Sequence, residues 1–128
     1  MSRAIYSLFI DIPQEELDFF DKDILKEGKT PTNINTKNKF TEHYDKLIDC
    51  KKRYADNIGV EFYLNQYDKD FTDYVLYFKK HFPFITMYNI VNFYKLELMN
   101  YYLHNHDEVL YLDFDVVPVT KENFFDVW

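Results

Sequence analysis

Residues 109–118 read Val109-Leu110-Tyr111-Leu112-Asp113-Phe114-Asp115-Val116-Val117-Pro118. Four apolar residues precede two carboxylates spaced i and i+2, and two valines follow them. The short apolar run over 108–112 predicts a buried strand. In an extended chain, positions i and i+2 point to the same side. A strand ending here therefore delivers Asp113 and Asp115 together to its carboxyl end. Two ionised carboxylates so close repel one another, and placing them between apolar runs is costly without a partner. A divalent cation relieves both problems. Oxygen ligands suit Mg²⁺ or Mn²⁺, which keep further positions for water and substrate phosphate. Asp113 and Asp115 are thus expected as metal ligands; the plainer reading is a strand that ends in a solvated acidic turn.

Outward from this stretch, strand and helix patterns alternate. Residues 4–12 are short, aromatic and β-branched, and predict a buried strand. Pro13 suits the first turn of a helix, and Leu17, Phe20, Ile24 and Leu25 recur at helical spacing toward Gly28. Residues 29–39 are polar and turn-rich, and read as a loop. Phe40, Tyr44, Leu47, Ile48, Tyr54 and Ala55 form the stripe of a second helix, with Gly59 placed for a left-handed stop. Residues 60–64 read as a strand. Phe71, Tyr74, Val75, Phe78 and Phe82 fit a helix closed by Pro83. Residues 88–104 fit a fourth helix, apolar around much of its circumference and so expected to be well buried. This alternation predicts an α/β fold, a mainly parallel sheet flanked by helices on both faces. Such sheets bind ligands at the carboxyl ends of their strands. Asp11, Asn65 and Asp113, each read as lying just past a strand, are therefore expected along one edge.

Composition narrows the function classes. The chain has 128 residues, 22 acidic against 15 basic, and a net charge of -7. Thirteen Phe and twelve Tyr do not belong to a disordered, highly charged chain. So acidic a chain is not expected to grip a phosphate backbone through bulk charge, and no nucleic-acid partner is expected. The length suits one domain with its own core. The single cysteine, Cys50, forms no internal disulfide and fits a reducing, cytoplasmic compartment. No apolar run reaches the ~18–20 residues of a membrane span, and the opening shows no signal-peptide pattern.

Other chemistry-bearing residues read as ordinary surface. His104, His106 and Asp107 precede the last strand, at its wrong end, and suit a solvated connection. His43 and His81 lie on helices without ligand partners at the right spacing. Lys37, Lys39, Lys51, Lys52 and Arg53 suggest a basic strip flanked by acids, the pattern of a solvated helix face. Cys50 has no activating base beside it. On the fourth helix, Tyr88, Asn92, Lys95 and Met99 share a stripe. Asn92 and Lys95 either answer a ligand there or simply reach solvent, Lys95 by snorkelling.

The segment Val109-Leu110-Tyr111-Leu112-Asp113-Phe114-Asp115-Val116-Val117 resembles the Asp-X-Asp segment of GT-A-fold glycosyltransferases, which use nucleotide-sugar donors. Upstream, residues 89–96 are similar to the family's helix that carries a basic residue. Downstream, Thr120-Lys121-Glu122-Asn123-Phe124-Phe125 resembles the segment that enters a short helical turn. The opening over residues 4–11 is similar to that of phage and bacterial glycosyltransferase-like proteins. The resemblance implies residues 1–128 as a single GT-A-like, Rossmann-like donor-binding domain, incomplete at its C-terminus. It implies a metal-dependent enzyme that transfers a sugar to a glycan, protein or other acceptor, in the host cytoplasm if viral. Asp115 would hold Mn²⁺ or Mg²⁺ directly, and Asp113 would assist the metal and contact the donor's ribose or sugar. Phe9, Ile10 and Asp11, with residues 65–67, would cradle the nucleoside, and Lys95 would answer the diphosphate's charge, with Asn92 on the same stripe counted among the donor-binding residues. Asp11 reads first as a helix N-cap ahead of Pro13.

The chain departs from that pattern in length, since such domains run to roughly twice this size, and it offers no third metal ligand after the motif. Two rivals use the same residues. Leu112-Asp113-Phe114-Asp115-Val116-Val117 formally fits a haloacid-dehalogenase-type phosphatase, with Asp113 as nucleophile and Asp115 as general acid/base. A third reading is a non-catalytic nucleotide-binding fragment.

Overall fold

In this computed structural model, residues 2–21 and 41–127 are described. The helical continuation through Ile24 and Leu25 to Gly28, the loop over 29–39, and Phe40 lie outside them.

Three strands form the sheet: β1 (Arg3–Phe9), β2 (Glu61–Gln66) and β3 (Glu108–Tyr111). Their order is β2-β1-β3, and both pairings are parallel. Register is set by Ile5 against Phe62 on one side and Leu110 on the other. The Leu112 N–H donates to the Tyr6 carbonyl at 3.0 Å, extending β3 by one bond. β1 is central, and its Ala4, Ile5, Tyr6, Ser7 and Leu8 are all buried. A strand covered on both faces reads as a continuous apolar run, which is why 4–12 lacks alternation. The chain is mixed α/β with a small parallel sheet flanked by helices, as the alternation predicts.

The helices bounded within the described residues are α1 (Gln14–Asp21), α2 (Tyr44–Ile58), α3 (Lys69–His81), α4 (Met87–Leu103) and α5 (Phe124–Val127). Pleat alternation divides the core between them. Tyr6 and Leu8 face α1, α3 and α4 in one cluster with Leu17, Phe71, Val75, Ile90, Tyr94 and Leu98. Ile5 faces the other way, toward Tyr54 and Ala55 of α2 and Phe125 of α5. α2 ends at Gly59, whose φ of 71° is the left-handed stop its sequence anticipates. Asp68 caps α3 by accepting from Phe71 N at 2.9 Å, and Thr86 caps α4 by accepting from Asn89 N.

α4 differs from expectation. It buries one stripe, Met87, Ile90, Tyr94, Leu98 and Tyr102, and leaves Phe93, Leu96, Tyr101 and Leu103 exposed. The sheet and α3 line only one side of it, so uniform apolarity does not become uniform burial. Among the described residues, no helix is long and apolar enough to cross a membrane.

Candidate functional site

The strand order locates the edge at which a sheet of this kind takes ligands. From β1 the chain passes to β2 on one side, whereas β3 lies on the other side of β1. Where connections diverge in this way, a parallel sheet opens a cleft outside its carboxyl ends; for an order running 2-1-3 it falls between the first and third strands. Phe9 ends β1, and the residues that leave the two strands are 10–11 and 112–115.

Asp113 follows β3 by two residues and meets a lysine from α4. Lys95 Nζ lies 3.1 Å from Asp113 Oδ1, and the Tyr111 hydroxyl donates to the same oxygen at 2.8 Å. The Lys95 ammonium also sits 5.3 Å from the centre of the Tyr111 ring. Tyr6 steadies this turn of α4 by donating its hydroxyl to the Lys95 carbonyl at 2.6 Å. Partial burial pushes the Asp113 carboxyl up, but the bonds from Tyr111 and Lys95 and the Lys95 charge outweigh it, and it is held below the ordinary carboxylate range. Burial, then the bond to Asp113, drives the Tyr111 phenol well above its usual range. Asp113 is therefore ionised, and Tyr111 a donor, across ordinary pH.

The twin acids do not lie on an extended strand. The Val116 N–H donates to the Asp113 carbonyl at 3.0 Å, closing a turn over Phe114 and Asp115. The cause is Phe114, which is 5% exposed. Its ring packs 4.6 Å from that of Phe9 and 5.8 Å from that of Tyr44. Burying this ring folds the backbone inward between two carboxylates that both stay exposed. Geometry other than a strand's period brings the acids to the surface, and the same-side argument does not apply.

Behind the turn stands a residue the sequence reading misplaced. Lys51, read as part of a solvated basic face, has 0% exposure. Its Nζ donates to Phe114 O at 2.5 Å and Leu47 O at 2.9 Å, and lies 5.2 Å from the Phe114 ring centre. Burial lowers the pKa of this ammonium, while the nearby Cys50 and the Asp115 carboxylate act in the opposite sense. The signal was available: position 51 lies three after Ile48 and four before Ala55, on the buried stripe of α2.

The other expected residues divide. Phe9 is half-buried, with its ring 5.0 Å from Tyr44 and a cavity of about 470 Å³ beside it, also lined by Thr41, His43 and Tyr44. Asp11 is exposed just beyond it, and Ile10 packs against the core. Asn92 is exposed on α4, one turn before Lys95. Asn65 lies inside β2 rather than past it, accepting from the Tyr102 hydroxyl at 3.0 Å, because β2 runs on to Gln66. At the opposite edge, His106 is not a solvated linker. Its Nδ1 lies 2.7 Å from Ser2 Oγ and its Nε2 3.1 Å from the Tyr63 hydroxyl, tying the amino ends of the strands together.

Among the described residues, no three His, Cys, Asp or Glu side chains converge to hold a metal. A cation between β1 and β3 would draw on Asp113 and Asp115, with water and phosphate filling its other positions. One or two carboxylates plus substrate phosphates is a donor set that Mg²⁺ and Mn²⁺ accept. Compared with protein-family models, curated proteins and solved structures, the chain matches none.

Proposed function

We propose that the chain is the donor-binding portion of a GT-A-like, metal-dependent glycosyltransferase. The observation that carries this reading is the meeting of Lys95 and Asp113, 3.1 Å apart, at the carboxyl edge where a parallel sheet of 2-1-3 order takes ligands. An ammonium and two exposed carboxylates at such an edge are the groups needed to receive a metal–diphosphate. Asp115 and Asp113 would hold Mn²⁺ or Mg²⁺, which would supply charge compensation for a diphosphate leaving group. Lys95 exchanges its bond to Asp113 for one to a phosphate oxygen. Phe9 offers an aromatic surface to the nucleoside, with Asp11 and Asn92 at the rim.

Calorimetry with UDP, GDP and ADP, each with and without Mn²⁺, tests the reading. Binding of one nucleotide that requires Mn²⁺ and disappears in Asp115→Ala supports it. Equal affinity with and without the metal contradicts it. Release of phosphate from a phosphoester, in place of nucleoside diphosphate from a sugar nucleotide, would favour the phosphatase reading instead.

A further inference from the structure

We propose that Lys51 is a positioning residue for the twin-acid turn: its buried ammonium, bonded to the carbonyls of Phe114 and Leu47, fixes the backbone between Asp113 and Asp115 against α2 before any ligand arrives. On the stripe of α2, a leucine or methionine would bury as much apolar surface without the cost of desolvating a charge. What lysine adds is donors and charge, and it directs one bond and its ring contact to Phe114. The ammonium donates to Phe114 O across 63 residues of chain and lies over the Phe114 ring. The second bond, to Leu47 O, holds the lysine to its own helix. Because the acceptor is backbone, the clamp sets the path of the turn rather than a side-chain rotamer. Phe114 is the residue whose burial leaves Asp113 and Asp115 exposed on either side, so Lys51 governs their spacing without touching a ligand. Its part in ligand binding rests on the metal-dependent reading above; its anchoring of the turn does not.

Nuclear magnetic resonance on the unmodified protein gives the first test. A slowly exchanging Lys51 ammonium with Overhauser contacts to the Phe114 ring is expected. Exchange as fast as that of surface lysines, without such contacts, overturns the proposal. Lys51→Met then keeps the apolar stem and removes the donors. Amide hydrogen exchange at Val116, whose N–H closes the turn, is expected to speed up roughly ten-fold, the size of one lost charge-assisted bond, while Leu112, bonded to Tyr6, keeps its protection. Equal loss at both amides, or none at Val116, overturns the proposal. Mn²⁺ affinity measured with UDP is expected to fall by a similar factor of roughly ten and to recover when a thialysine is installed at position 51 in a Cys50→Ala background. Unchanged affinity in Lys51→Met overturns the ligand role. If the unmodified protein shows no Mn²⁺-dependent uptake of UDP, the functional reading fails, and the Val116–Leu112 contrast still decides the role of Lys51.

Discussion

Two lysine–aspartate pairs bracket the larger core, and they differ in enclosure rather than chemistry. Asp21 and Lys79 meet at 2.8 Å with side-chain exposures of 0% and 11%. Around them, Lys79 also donates to the carbonyls of Phe20 and Ile85, and Asp21 accepts from Met87 N. Every bond ties one element to another: the end of α1, α3 and the start of α4. Asp113 and Lys95 meet at 3.1 Å with exposures of 55% and 28%. Here Tyr111 adds a bond to the carboxylate and a ring face to the ammonium, and both side chains are partly exposed. A closed pair is part of the scaffold, because losing either partner strands a buried charge. An open pair can part at little cost and take another ligand, which is what a phosphate site requires.

The largest effect that would sharpen this contrast is at the closed pair. Asp21→Ala leaves the Lys79 ammonium without its counter-charge, held only by the Phe20 and Ile85 carbonyls, and the Met87 N–H without its acceptor, and should cost about 3–5 kcal/mol in denaturant unfolding. A loss no larger than that of the open pair would break the comparison. Next comes Tyr54→Phe. The Tyr54 hydroxyl donates to Glu122 O at 2.8 Å and accepts from Phe124 N at 3.1 Å, pinning α5 to α2. Its removal should cost about 1–2 kcal/mol, with hydrogen exchange accelerating at Phe124 before it does in β1.

Smaller still is Lys95→Met. Exposed pairs contribute under about 1 kcal/mol, so unfolding should scarcely change, while nucleoside diphosphate affinity in Mn²⁺ falls roughly ten-fold, as for one lost bond to a charged group. Least of all is the pH response of Asp113. Its carboxyl is held below its unfolded value, so its contribution is present above that value and is lost as pH falls through the folded one. Screened by solvent, it should be worth well under about 1 kcal/mol. Asp113→Asn should flatten that part of the acid limb, read from denaturation midpoints between neutral pH and the carboxylate range.

Local signals carried much of the fold. Gly59 announced the end of α2, and the unbroken apolar run of β1 announced a strand covered on both sides. The sequence leaves Lys95 open between a ligand and solvent and Asp113 between a metal and an acidic turn; the fold brings the two together across 18 residues. What sequence periodicity could not supply was anything set by tertiary packing. The strand order is invisible in one dimension. The bend at Phe114 depends on Phe9 and Tyr44, which lie far from it in sequence. Residue type alone sends Lys51 and His106 to solvent, yet their surroundings enclose them, because position on a stripe or beside an edge outweighs polarity when partners are supplied. On α4 the opposite holds, since apolar residues stay exposed where no element covers them.

Paramagnetic broadening by substoichiometric Mn²⁺ in the presence of UDP tests the central assignment most directly. Amide signals of residues 9–11 and 112–116 should vanish together, while those of Ser2 and His106 at the opposite edge persist. Broadening centred elsewhere, or unchanged spectra at the carboxyl ends of β1 and β3, would contradict a metal–diphosphate site between those strands.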